Sequence, residues 1–128
     1  MSTHDLLHLA ARGLAQAALA VQPSERYALA HLAALRAAAA VLSTRARPSG
    51  RGRVRSVWEL LPGVAPELAE WAAFFAAGAA KRAAAEAGLP AVVTAREADD
   101  LLRDATTFLS LIRDRLGLGH QQSLLSAV

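Results

Sequence analysis

The side chains with chemistry to offer are few in kind and unevenly placed. The chain carries four histidines, eleven carboxylates, and thirteen arginines against a single lysine. His4 and His8 stand four residues apart, which on a helix puts both imidazoles on one face and makes half of a divalent-metal site. No HExxH or ExxH pattern and no carboxylate cluster completes it. Exposed histidines at a helix start are therefore the expectation, and neither a metal nor a cofactor is assigned. Glu97, Asp99, Asp100 and Asp104 crowd the start of one predicted helix, with Glu97, Asp100 and Asp104 sharing a face. Negative charge in a first turn suits the helix dipole by about 0.3–1 kcal/mol per group. A structural role for this run is the expectation; an inter-helix pair with Arg26 or Arg36 that orders a site is the functional alternative.

A third cluster is basic. Arg45, Arg47, Arg51, Arg53 and Arg55 fall in one eleven-residue window that contains no acid. With those five set aside, nine basic residues face eleven acidic ones, so the net charge of +3 describes a loop and not the body of the protein. Such a segment neutralises phosphates without reading sequence, with strong salt dependence. It has no interleaved aromatics on which bases could stack. These five arginines are candidate nucleic-acid contacts on what is otherwise a solvated, flexible linker over 45–55.

Several classes of chemistry are excluded. There is no cysteine, hence no disulfide, thiolate metal site or cysteine nucleophile. No phosphate-binding glycine loop and no nucleophile elbow occurs. The first residues lack a basic patch followed by a long apolar run, so no signal peptide is expected. The run from Trp71 to Ala80 is bounded by Glu70 and Lys81 and falls short of the roughly 18 residues a membrane span needs. A soluble, cytoplasmic protein with no membrane partner is the expectation, and 128 residues suit one domain over 1–128.

The elements that must hold these groups are helical. Hydrophobic residues make up 54% of the chain but aromatics only 5%, and alanine, the strongest helix former, supplies much of the difference. A first helix is predicted from about Asp5 to Val21 with Thr3 as N-cap, and Pro23 stops it. A second, capped by Ser24, follows Ala28, Leu32, Leu35, Ala39 and Leu42 at three- and four-residue steps. After the linker, Ser56-Val57-Trp58-Glu59 is a capping box opening a short helix that Pro62-Gly63 ends. A third main helix is predicted from Pro66 to about Ala87, closed by Gly88 and Pro90. Thr94-Ala95-Arg96-Glu97 caps a fourth, ending near Gly117. Short connections favour antiparallel neighbours, so the predicted fold is all-α, an antiparallel up-down four-helix bundle with an additional short helix before the third main one.

Four segments together resemble the HEPN domain superfamily, and in particular its small stand-alone actinobacterial proteins. They are Glu25 to Leu42, Arg55-Ser56-Val57-Trp58-Glu59-Leu60-Leu61-Pro62, Leu68-Ala69-Glu70-Trp71-Ala72-Ala73-Phe74-Phe75, and Arg96-Glu97-Ala98-Asp99-Asp100-Leu101-Leu102. The resemblance implies a helical bundle that often forms a homodimer and works with RNA or nucleotide-linked machinery, a nucleotidyltransferase or another protein being the partner to look for. Many such proteins are metal-independent ribonucleases that use an arginine and a histidine four to six residues apart, usually with a polar residue after the arginine. On that pattern Arg26 and His31 are the candidate catalytic pair, although Tyr27 stands where Asn, Asp or His is usual. Arg113 and His120 also fit the spacing, with Asp114 in the polar position. A histidine near neutral pKa can move the ribose 2′-hydroxyl proton while a guanidinium stabilises the phosphorane.

Five helical steps set Arg26 and His31 about 140° apart, so a regular helix does not aim them at one phosphate. The competing expectation places His31 at the core border beside Tyr27 and Leu35, hydrogen-bonded to another helix, with Arg26 in a salt bridge. Trp58 and Trp71 are expected as core anchors. A homodimeric ribonuclease and a non-catalytic adaptor module are the two functions that follow.

Overall fold

α1 (Thr3–Leu19) and α2 (Pro23–Leu42) form the first hairpin of the computed structural model, which describes residues 1–45, 56–89 and 92–118. α1 starts earlier than its hydrophobic stripe suggests, because Ser2 and not Thr3 is the cap. The Ser2 hydroxyl accepts from the Asp5 N–H at 3.0 Å and the Asp5 carboxylate accepts from the Ser2 N–H at 3.3 Å, a reciprocal capping box. Pro23 likewise opens α2 and does not merely end α1, since a first-turn residue needs no N–H partner. Gln22 therefore takes the cap position expected for Ser24.

α3 (Val57–Val64) is capped by the Ser56 hydroxyl, which accepts from the Glu59 N–H, and it continues one residue past Gly63. A 3₁₀ turn (Pro66–Leu68) leads into α4 (Ala69–Ala77) and α5 (Ala79–Glu86). The third main helix is thus two helices and not one continuous rod, broken at Gly78. α6 (Ala95–Arg115) begins with the predicted Thr94–Glu97 capping box. Gly88 and Gly117, at φ +73° and +77°, close α5 and α6. In each the glycine and the residue after it donate back to carbonyls of the last turn, as Leu118 does to Arg113 at 2.8 Å.

Four side-chain pairs set the helix directions. Thr3 meets Ser43 at 2.5 Å, so the start of α1 lies at the end of α2 and the two are antiparallel. Arg26 pairs with Asp99, placing the starts of α2 and α6 together. Arg115 pairs with Glu67 and Lys81 with Glu97, so the α4–α5 segment runs opposite to α6. The order is up, down, up, down, as expected.

α2 is the centre of the packing. Ten of its residues are buried, and six of them are alanines: Ala30, Ala33, Ala34, Ala37, Ala38 and Ala40. Small side chains let α1 and α6 approach its backbone closely. Gly13 of α1 shows how near: a Cβ there would lie 3.4 Å from the Cβ of Ala33. Large residues fill the other side, where α3, α4 and α6 deliver Trp58, Leu61, Phe75, Phe108 and Ile112 to the core. The chain's six aromatic residues all sit in this half, linked through ring contacts that include His31.

Candidate functional site

His31 projects from α2 into the aromatic cluster and is 1% exposed. Its Nε2–H donates to the carbonyl of Phe75 at 2.8 Å. A carbonyl oxygen only accepts, so this bond fixes the neutral tautomer with its proton on Nε2. Tyr27, one turn earlier, stacks on the imidazole with centroids 6.3 Å apart, while Trp58 and Phe75 present edges at 6.1 and 6.0 Å. Nδ1 is buried and meets no hydrogen-bond partner among the described residues.

The surroundings hold the ring uncharged. Burial is the largest influence and pushes the His31 pKa below its ordinary value. The Phe75 carbonyl raises it, the Arg82 guanidinium lowers it, and Glu86 raises it, each to a smaller extent. Tyr27 is also buried, and burial moves its hydroxyl upward, with Lys81 acting against that shift and Glu97 with it.

Gly78 stands at the break between α4 and α5, pressed against α2. A Cβ at this position would stand 2.8 Å from the Tyr27 hydroxyl and 3.6 Å from His31 Nε2, closer to the hydroxyl than packing tolerates. The Phe75 carbonyl accepts from the Gly78 N–H at 3.1 Å as well as from His31. Tyr27, His31, Phe75 and Gly78 thus form one interlocked unit joining α2 to α4 and α5. Sequence reasoning missed Gly78 because it lies in an alanine-rich run, where a single glycine signals little. The only clue was its occurrence midway through a predicted rod.

Arg26 has other partners. Its Nη1 donates to Asp99 Oδ1 at 2.5 Å and its Nη2 to the Ala20 carbonyl at 2.8 Å. It therefore ties the turn between α1 and α2 to the first turns of α6. This is the inter-helix pair that was the alternative for the acidic run. Glu97 pairs with Lys81, and Asp100 and Asp104 pair with Arg96 or Arg103 on their own helix. Arg26 and His31 thus each have defined partners, on different elements.

The remaining candidates are dispersed. Arg45 is exposed just beyond α2, whereas Arg47, Arg51, Arg53 and Arg55 lie outside the described residues. Arg113 is half-buried in the last turns of α6, and His120 also lies outside the described residues. His4 and His8 are exposed and line an open depression of about 410 Å³ with Met1, Asp5 and Leu9. Asp5 is committed to its capping box, and no group of three or more potential ligands gathers around a common point among the described residues. No helix among them is long and apolar enough to cross a membrane.

Residues 17–113 match the SAV_6107-like HEPN family, a span that takes in Arg26, His31, Gly78 and most of α6. No curated protein and no solved structure matches the chain.

Proposed function

Because this chain belongs to the SAV_6107-like HEPN family, we propose that it serves as a non-catalytic helical interaction module, and not as a metal-independent ribonuclease. The observation that carries this reading is the setting of His31. A general base for a ribose hydroxyl must come within hydrogen-bond reach of it, directly or through one water. His31 is 1% exposed, and its Nε2 is occupied by the Phe75 carbonyl. Its Nδ1 is buried. Arg26, the other half of the candidate pair, directs both terminal guanidinium nitrogens to Asp99 and the Ala20 carbonyl. On this reading both residues serve the bundle, and function lies on the outer faces of the helices.

The test is an incubation of the purified protein with single-stranded RNA in EDTA. Intact RNA at high protein concentration is the expected result. Cleavage that disappears in a folded His31→Ala or Arg26→Ala variant would overturn the proposal and restore the ribonuclease expected from spacing.

A further inference from the structure

The end of α6 lies beside the start of α4, because Arg115 pairs with Glu67. From that pair inward, Trp71 and Phe74 follow Glu67 at steps of four and three residues, and Leu111 stands four residues before Arg115. Such steps keep residues on one helix side, so all of them border the same seam between α4 and α6. Its floor is the contact of Trp71 with Phe108, centroids 5.4 Å apart. Its walls are open: Phe74 is 46% exposed, Leu111 41% and Leu118 38%. The Phe74 ring is held edge-on to Trp71 at 6.4 Å and to Phe75 at 5.0 Å, so it loses little freedom on being covered. The rim is acidic. Glu70 is exposed four residues before Phe74, and Asp114 is exposed three residues after Leu111 and four before Leu118. Neither makes an ion pair among the described residues. The bases nearby are engaged, Arg115 with Glu67, Lys81 with Glu97, and Arg103 with Asp100 and Asp104.

We propose that this seam is a docking groove for an amphipathic helix of another protein, apolar on its inward face and carrying lysine or arginine along both flanks. Charge complementarity selects this occupant. Glu70 and Asp114 stand on opposite walls, one on each helix, so a helix laid between them offers each carboxylate a cation from its own flank. A nucleic acid or an anionic membrane would bring phosphates to the same two carboxylates, and a purely apolar segment would leave both without a partner. The dimensions agree with a helix. Glu67 to Phe74 and Leu111 to Leu118 each cover about 10 Å along the seam, which is two turns of a docked helix with apolar residues at i, i+3 or i+4, and i+7. A contact of this length belongs to the small, reversible class, and its charged rim makes the affinity fall with salt.

This inference rests on the interaction-module reading and names its class of partner. In the test, the full-length chain is titrated into a labelled synthetic helix of leucine and lysine, with leucines at three- and four-residue steps, and binding is read as fluorescence anisotropy. Saturable binding that weakens with salt is expected, at least tenfold tighter than for the counterpart peptide with glutamate in place of lysine. Phe74→Asp should weaken it at least tenfold, and Glu70→Lys and Asp114→Lys by a few-fold each, with helix content unchanged by circular dichroism. The last two positions are exposed and unpaired, so they remain informative if Phe74→Asp disturbs the fold. Glu25→Lys removes an exposed acid at the opposite end of the bundle, where α2 and α6 begin, and should leave binding unchanged. Absence of binding, equal binding of the two peptides, or binding as sensitive to Glu25→Lys as to Phe74→Asp would overturn the proposal. So would a different occupant of the seam: anionic vesicles bound through Phe74, a dimer dissolved by Phe74→Asp, or residues 119–128 of the same chain cross-linking to position 74 in the free protein. RNA cleavage would strike the interaction-module reading and leave the peptide data standing, so the two readings fail separately.

Discussion

The imidazole of His31 and the carbonyl of Phe75 meet inside the bundle at 2.8 Å, and that carbonyl belongs to the last turn of α4 before Gly78. A buried polar group left without a partner costs about 1–3 kcal/mol. The histidine therefore depends on the helix break for its acceptor, and the break presses a glycine against the histidine's own neighbour, Tyr27.

Acid should loosen this arrangement. In the unfolded chain His31 titrates near its ordinary value of 6.5, whereas burial places the folded value lower. Above that pH both states are neutral and His31 adds no pH dependence. Below it the unfolded chain takes up the proton first, so stability falls with pH by up to about 1.4 kcal/mol per unit until the folded value is passed. Urea midpoints of the wild type should drop as pH falls through this window. Those of His31→Gln, which retains a donor for the Phe75 carbonyl, should lack the corresponding slope.

Gly78→Ala gives a two-sided test. Alanine is favoured over glycine within a helix by about 1 kcal/mol, but here the new methyl meets the Tyr27 hydroxyl at the end of a largely buried ring. The clash should win, for a net loss of about 1–2 kcal/mol typical of overpacking. Removing the hydroxyl with Tyr27→Phe should make the same alanine neutral or stabilising, a coupling that a double-mutant cycle in urea measures directly.

Arg26→Ala removes two bonds at once and leaves the Ala20 carbonyl without this donor. A cost of about 1–2 kcal/mol in thermal or urea unfolding is expected. Asp99→Ala should cost less, because Asp99 is 63% exposed and water screens its half of the pair. Equal losses from the two variants would place the stabilisation in the ion pair and contradict this division.

At the start of α6, Thr94→Ala deletes the hydroxyl that accepts from the Glu97 N–H at 3.0 Å. A loss of about 1 kcal/mol is expected, and Thr94→Ser should restore most of it. Amide exchange of the first α6 turn checks that the loss is local.

What could be read from the sequence was decided locally, and what could not was decided between distant helices. The Thr94–Glu97 box and the closing glycines Gly88 and Gly117 depend on residues within one turn, so their spacing announces them. The first cap was displaced by one residue, since Ser2 and Thr3 offer the same hydroxyl and only the reciprocal bond to Asp5 separates them. The acidic run admitted an inter-helix pair but left Arg26 and Arg36 open as its partner, a choice made by the relative rotation of α2 and α6. Gly78 was invisible because the reason for it, Tyr27, lies about fifty residues upstream. His31 supported two readings for the same cause: its own helix states which side it faces, and only α4 states what waits there.

The gathering of the aromatic rings has a practical consequence. Trp58 lies 6.1 Å from His31 and stacks on Phe75, and Trp71 stacks on that same phenylalanine. Both indoles thus watch one small volume and none of the distant surface. Their emission is a built-in optical gauge of whether the imidazole is charged and whether the α4–α5 joint is closed, readable without any label.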